Sequence, residues 1–154
     1  MEGRNGGEGL RRIYTNHTLC SGCRACSVAC SVAHFGVADD SKGAIQILRN
    51  PLEGYEYQSV CRICDEPECV AACMAVALTR DAESGRVVLD RDRCVGCWMC
   101  VMVCPHRAIV QDYKAGKSIL CDQCEGRDTP ACVAACSTGA IAFIESEIKL
   151  RAAV

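Results

Sequence analysis

Between Cys94 and Pro105 the chain reads C-V-G-C-W-M-C-V-M-V-C-P, placing thiols at Cys94, Cys97, Cys100 and Cys104. Three thiolates two residues apart, on a loop curling into a helix, can face three corners of one iron–sulfur cubane. The fourth, three residues on, points away and reaches a second cubane, so one such run asks for a partner. The chain supplies three more: Cys20, Cys23, Cys26, Cys30; Cys61, Cys64, Cys69, Cys73; and Cys121, Cys124, Cys132, Cys136. All 16 cysteines fall into these four quartets. Each quartet ends in C-x3-C, one helical turn, which sets the last two sulfurs on one helix face. Sixteen soft ligands are the number that four [4Fe–4S] clusters need.

Other uses of cysteine fit less well. A disulfide scaffold belongs to secreted chains, whereas Met1–Leu10 is rich in Gly and Glu with no apolar core of a signal peptide. Structural zinc pairs two C-x2-C knuckles across a long spacer, not four cysteines within a dozen residues. Buried free thiols have no need of such regular spacing.

Length and composition narrow the class. At 154 residues the chain fits one domain or two fused halves. Aromatics are only 5%, so the clusters must themselves serve as core, with Val, Ala and Ile around them, and the metal-free chain is expected to be largely unfolded. The formal charge is −2; four oxidised cubanes with their thiolates carry it to roughly −10, which excludes nucleic acid as a partner. No apolar run approaches the ~20 residues of a membrane span.

The elements that must position the thiols form a repeat of strand, cysteine helix and strand, used four times. Residues 1–12 read as a mobile N-terminal tail, 13–144 as the folded domain and 145–154 as a short amphipathic tail. A strand over Arg11–Thr15 feeds the first quartet. Its helix is expected to run on to His34-Phe35-Gly36, because Ser31 stands where Pro105 follows Cys104. Met74 and Ser137 likewise replace Pro after the second and fourth quartets. Strands are expected over Ala44–Leu48 and Gln58–Val60, and the 35–59 insert is a candidate docking surface or lid over a cluster. Ala77–Arg80 and Arg86–Leu89 form a hairpin about Gly85; Ala108–Gln111 and Ser118–Leu120 form another about Gly116. Pro130 can start the last helix, and Gly139–Ile144 reads as the closing strand.

The fold class is therefore α+β: two nested ferredoxin-like units of short antiparallel hairpins and short helices built around four [4Fe–4S] clusters. One compact hairpin bridges Cys73 to Cys94, as between the halves of a two-cluster bacterial ferredoxin, so quartets two and three form an inner unit at about 58–120. Quartets one and four then form the outer one. The resulting sites are Cys61, Cys64, Cys69 with Cys104; Cys94, Cys97, Cys100 with Cys73; Cys20, Cys23, Cys26 with Cys136; and Cys121, Cys124, Cys132 with Cys30. Sequential pairing, one with two and three with four, is the alternative and changes only each fourth ligand.

With C-V-G-C-W-M-C-V-M-V-C-P-H-R-A-I and C-D-x-C…T-P-A-C-V-x-A-C as its most specific parts, the stretch Ile13–Ile144 resembles the four-cluster ferredoxin-type electron-transfer subunits of multi-subunit oxidoreductases. Short length favours the small iron–sulfur subunits of CO dehydrogenase and tungsten aldehyde oxidoreductase. The resemblance implies nested pairing, four [4Fe–4S] clusters and a large catalytic metalloenzyme subunit as partner; four one-electron carriers in series point to a second redox protein, and the oxygen sensitivity of cubanes to an anaerobic, reducing cytoplasm. Catalysis by this chain alone is not expected: fully thiolate-ligated cubanes offer no open position, and no phosphate or dinucleotide loop is present. His17, His34 and His106 read as helix-end or second-layer groups, and Trp98 as a shield over a cluster. Arg24, Arg62, Arg91, Arg93 and Arg107 read as partial counter-charges. A freely diffusing polyferredoxin and a zinc-bound interaction module are the competing functions.

Overall fold

The computed structural model describes residues 11–145; the expected tails lie outside them except at their inner ends. Among the described residues are eight short strands, four α-helices and two single-turn 3-10 helices (His17–Leu19 and Asp40–Lys42). The strands and α-helices are β1 (Arg11–Thr15), α1 (Ala25–Phe35), β2 (Gln46–Arg49), β3 (Glu56–Ser59), α2 (Glu68–Ala71), β4 (Leu78–Arg80), β5 (Val87–Leu89), α3 (Met99–Val103), β6 (Val110–Asp112), β7 (Lys117–Ile119), α4 (Ala131–Ala134) and β8 (Ile141–Glu145). The strands make four separate antiparallel pairs: β1 with β8, β2 with β3, β4 with β5, and β6 with β7. This is a small α+β fold of short helices and two-stranded ribbons.

The first and last strands close on each other, Ile13 facing Phe143 and Thr15 facing Ile141. The elements beside quartets one and four are thus joined although more than a hundred residues separate them. Helix α1 packs on α4, and α2 on α3. Two apolar clusters result. One gathers Ile13, Ile45, Ile47, Val60, Ile119 and Ile141 around Cys26, Cys30, Cys121 and Cys132. The smaller gathers Leu78, Val87 and Ile109 around Cys100. Cysteines sit inside both, so whatever they hold is part of the core.

Helix α1 does run on, ending at Gly36, whose N–H still donates to the Val32 carbonyl and whose left-handed backbone (φ 68°) then turns the chain out of the helix. Ser31 is sealed and donates its hydroxyl to the Val37 carbonyl. The missing prolines at Met74 and Ser137 have no such effect: α2 and α4 stop after one turn.

Several strand bounds differ from the sequence expectation, for one recurring reason: nearby backbone groups bond to something other than a ladder. The Ala44 N–H goes to Cys30 Sγ, and the Ile45 carbonyl accepts from Ser27 Oγ, so β2 starts only at Gln46. Asn50 turns the insert by accepting from the Leu52 and Glu53 N–H groups, which sets β3 at Glu56–Ser59 rather than Gln58–Val60. The Ala108 N–H goes to Cys104 Sγ, so β6 starts at Val110.

Candidate metal centres

Each quartet begins on a loop whose backbone must turn sharply around its sulfurs. In the first and third runs the same two positions are left-handed: Gly22 (φ 70°) with Arg24 (φ 61°), and Gly96 (φ 68°) with Trp98 (φ 62°). Gly96 is also closely approached. A Cβ there would lie 2.2 Å from the Gly116 carbonyl oxygen. Three residues after Cys73, Cys104 and Cys136 a left-handed residue ends the turn: Val76, Arg107 and Gly139. After the first two, the following N–H donates to the cysteine sulfur, Ala77 to Cys73 at 3.3 Å and Ala108 to Cys104 at 3.4 Å. At the loop starts, Gly22 N–H donates to Cys20 Sγ and Gln123 N–H to Cys121 Sγ, both at 3.4 Å.

The sixteen thiols converge in four groups. Cys20, Cys23, Cys26 and Cys136 line one cavity, covered by Ile47 and Gln58 of the β2–β3 hairpin. Cys73, Cys94, Cys97 and Cys100 line another, with Trp98 and Leu78. Cys61, Cys64, Cys69 and Cys104 form a third group. Burial pushes the Cys69 thiol up to about 11, with repulsion from Cys61, Cys104 and Cys64 adding to it. The fourth is Cys30, Cys121, Cys124 and Cys132, where burial and then repulsion from Cys30, Cys124 and Cys26 push Cys132 up to about 12. Burial raises Cys121 as well, with contributions from Cys132, Cys61 and Cys30.

Cys26 and Cys61 thus belong to neighbouring groups yet act on the fourth one. Neighbouring groups follow in the order Cys20 group, Cys121 group, Cys61 group, with the Cys94 group next to the Cys61 group across the α2 turn. Shared helices set the other spacings, since α1 carries Cys26 and Cys30, and the α2 turn carries Cys69 and Cys73. Cys23 and Cys97, in the two outer groups, are the exposed cysteines.

Polar groups grade these sites differently. Burial works to raise Cys94, but the Ser118 and Gly96 N–H groups, the Ser118 hydroxyl and Lys117 outweigh it and hold the thiol below its usual range. At Cys136 the Thr138 hydroxyl and the N–H groups of Ile141, Ala140 and Thr138 do the same. His34, in the last turn of α1, has Nε2 3.5 Å from Cys124 Sγ and 3.6 Å from Asp122 Oδ1. It is both a helix-end group and a neighbour of a candidate ligand. Trp98 leans on Tyr113 with ring centroids 5.7 Å apart. His17 meets Tyr55.

The arginines divide. Arg24 pairs with Asp40 at 2.8 Å, Arg91 with Asp112 at 3.2 Å, and Arg62 donates to Thr15 Oγ1. Arg93 and Arg107 are exposed. The sequence reading passed over Arg12, whose charge opposes the burial that raises Cys61 and Cys64. It also passed over Gln123, which donates from Nε2 to Cys121 Sγ at 3.5 Å and accepts the Ile13 N–H at 3.1 Å. Both depend on β1 lying beside quartets two and four, and no local pattern announces that.

The donor set fits [4Fe–4S] clusters. Each group offers four soft thiols, and burial raises at least one in every group (Cys26, Cys69, Cys100 and Cys132), a charge cost that cationic iron would compensate. The buried Gln58 amide beside the Cys20 group has no protein partner.

Comparison with known proteins follows the same line. Residues 53–146 match the model of the 4Fe-4S dicluster domain. The chain is 38% identical over 140 residues to the NADH-dependent phenylglyoxylate dehydrogenase subunit beta of Aromatoleum evansii, covering 90% of this chain and 31% of that one. It is 35% identical over 144 residues to the thiosulfate reductase electron transfer subunit PhsB of Salmonella typhi, covering 84% of this chain and 74% of that one. It thus spans about a third of the first relative's length. A chain of the active site complex BamBC of benzoyl coenzyme A reductase shares the fold at TM-score 0.55 and 21% identity, over 93% of this chain and 81% of that one. No helix among the described residues is long and apolar enough to cross a membrane. The chain is a 4Fe–4S iron–sulfur protein of electron transport and belongs to the 4Fe-4S dicluster domain family.

Proposed function

We propose that the chain is a non-catalytic electron-transfer subunit carrying four [4Fe–4S] clusters within a multi-subunit oxidoreductase, with all sixteen cysteines as ligands in the nested pairing. The observation that carries this reading is the row of four thiol groups with an exposed cysteine at each end, Cys23 and Cys97. Clusters held there supply one-electron oxidation and reduction without an open coordination position. The protein's part is to fix spacing and to exclude water. C-x3-C turns place successive groups one helical turn apart, and Ile47, Leu78 and Trp98 wall the outer two. The inner groups are covered by packing of α1 on α4 and α2 on α3.

Two partners follow, one at each end: a large catalytic metalloenzyme subunit and a second redox protein. Sequence resemblance points to the CO dehydrogenase or tungsten aldehyde oxidoreductase type for the first. The relatives named as phenylglyoxylate dehydrogenase and thiosulfate reductase subunits support subunit status without fixing the substrate. The domain is taken as residues 13–144, with quartets two and three as its inner unit, and the cytoplasm as its compartment.

Anaerobic purification of the native protein, with analysis for iron, nickel, molybdenum and tungsten, tests the proposal. Stable co-purification with a large subunit containing nickel, molybdenum or tungsten is expected. An iron-loaded chain that purifies alone from native cells would make it a free polyferredoxin instead.

A further inference from the structure

Gln58 lies at the middle of the insert hairpin and is 3% exposed. Its Nε2 and Oε1 are both sealed from solvent and have no hydrogen-bond partner in the protein. A primary amide carries two donor hydrogens and an acceptor oxygen, and leaving it unpaired in an interior is costly. Its direction follows from the strand. Residues 57 and 59 project to one face of β3 and residue 58 to the other. Ser59 donates its hydroxyl to the His106 and Arg107 carbonyls, so that face of β3 is turned to the loop after Cys104. Ile47 stands directly opposite Gln58 in the ladder, so the two share the inner face. Both line the cavity into which Cys20, Cys23, Cys26 and Cys136 converge.

The chain contains a worked parallel. Gln123 is equally sealed, at 4% exposure, and spends its Nε2 on the sulfur of Cys121. Its oxygen is used by the Ile13 N–H. The same side chain, facing a second group of thiols, finds neither an acceptor for its Nε2 nor a donor for its Oε1 within the protein.

We propose that Gln58 sets the potential of the cluster held by Cys20, Cys23, Cys26 and Cys136, by donating its amide N–H groups to sulfur of that cluster. This rests on the four-cluster reading above. A donor to sulfur stabilises the more negative, reduced form, so it raises the potential of the site it serves. The 35–59 insert is then more than a cover. It makes one outer site easier to reduce than its own cysteines alone would make it.

The test uses the full chain, anaerobically loaded with iron and sulfide, in wild-type form and as Gln58→Met, which keeps length and burial but has no donor. Iron content and EPR-monitored redox titrations are read together. The expected result is unchanged iron per chain, with one cluster's midpoint moved to lower potential and the others unmoved. Four unmoved midpoints at full iron content would overturn the proposal and leave the four-cluster reading intact. Low iron in the wild type would sink that reading itself.

A second measurement leaves Gln58 in place, in case the variant loses iron. Wild-type protein labelled with 15N at glutamine side-chain amides is reduced and examined by pulsed EPR. Two coupled amide nitrogens are expected, from Gln58 and Gln123, and Gln123→Met should remove one of them. No remaining coupling in Gln123→Met would overturn the proposal.

Discussion

A buried thiol beside other thiols is held protonated by its surroundings, as the rise of Cys26 to about 11 and of Cys132 to about 12 shows. Iron reverses that preference, so each cysteine matters chiefly through the group it joins. Cys100→Ala is expected to lower bound iron by about a quarter, by disabling the group it shares with Cys73, Cys94 and Cys97. Iron and labile sulfide assays check this; a full complement would remove Cys100 from the ligand set. Charge at neighbouring residues acts on potential rather than on occupancy. Arg12 works on Cys61 and Cys64 from β1, and Arg12→Leu should lower one midpoint by tens of millivolts, since ~1 kcal/mol of lost charge stabilisation is about 40 mV for one electron. A redox titration showing no shift would place that charge in solvent. The sixteen cysteines were legible because their spacing is itself the signal. Arg12, Gln58 and Gln123 were not, because each meets its group through a strand pairing that no short window of sequence contains.

At the scale of elements, the loops carrying the cysteines are where the fold is least forgiving. Gly96 combines a left-handed backbone with the Gly116 carbonyl pressed against the place of its missing side chain. Gly96→Ala should cost at least ~2 kcal/mol from the left-handed strain and the clash together, seen as loss of the Cys94 group's iron before any other. A variant retaining full iron and thermal stability would contradict this. The β2–β3 hairpin is tied to the turn after Cys104 by the Ser59 hydroxyl alone among the side-chain bonds described between them. Ser59→Ala should therefore destabilise the loaded protein by about 1–2 kcal/mol, measured by denaturant unfolding under anaerobic conditions. The hairpins at Gly85 and Gly116 were readable from turn residues and alternation. The exact start of β2 and β6 was not, since Ala44 and Ala108 give their N–H groups to Cys30 and Cys104 sulfur instead of to a partner strand.

For the whole molecule, ribbons of two strands and helices of one turn cannot hold a fold by themselves. Two-stranded pairs are marginal in water, and helices such as α2 and α4, at four residues each, are far below the length that is stable alone. Only α1 is long. The apolar clusters close over cysteines, so their contents complete the core. Removing iron with a chelator under oxidising conditions is expected to abolish most of the far-ultraviolet circular dichroism, with recovery on reconstitution. Retention of the native spectrum without metal would mean that the polypeptide suffices. The closure of β1 on β8 was expected only in outline, as quartets one and four left over once the central hairpin had joined the other two. The sequence named the repeat; the order of the thiol groups in space, with Cys23 and Cys97 at the two ends, depends on how the repeats fold back on each other.

The central claim is that the four thiol groups hold four cubanes, and it is tested most directly by counting iron and acid-labile sulfide in anaerobically prepared protein of known concentration. The account predicts about sixteen of each per chain, with a brown chromophore that bleaches on reduction. A colourless, folded protein carrying zinc or no metal would contradict it.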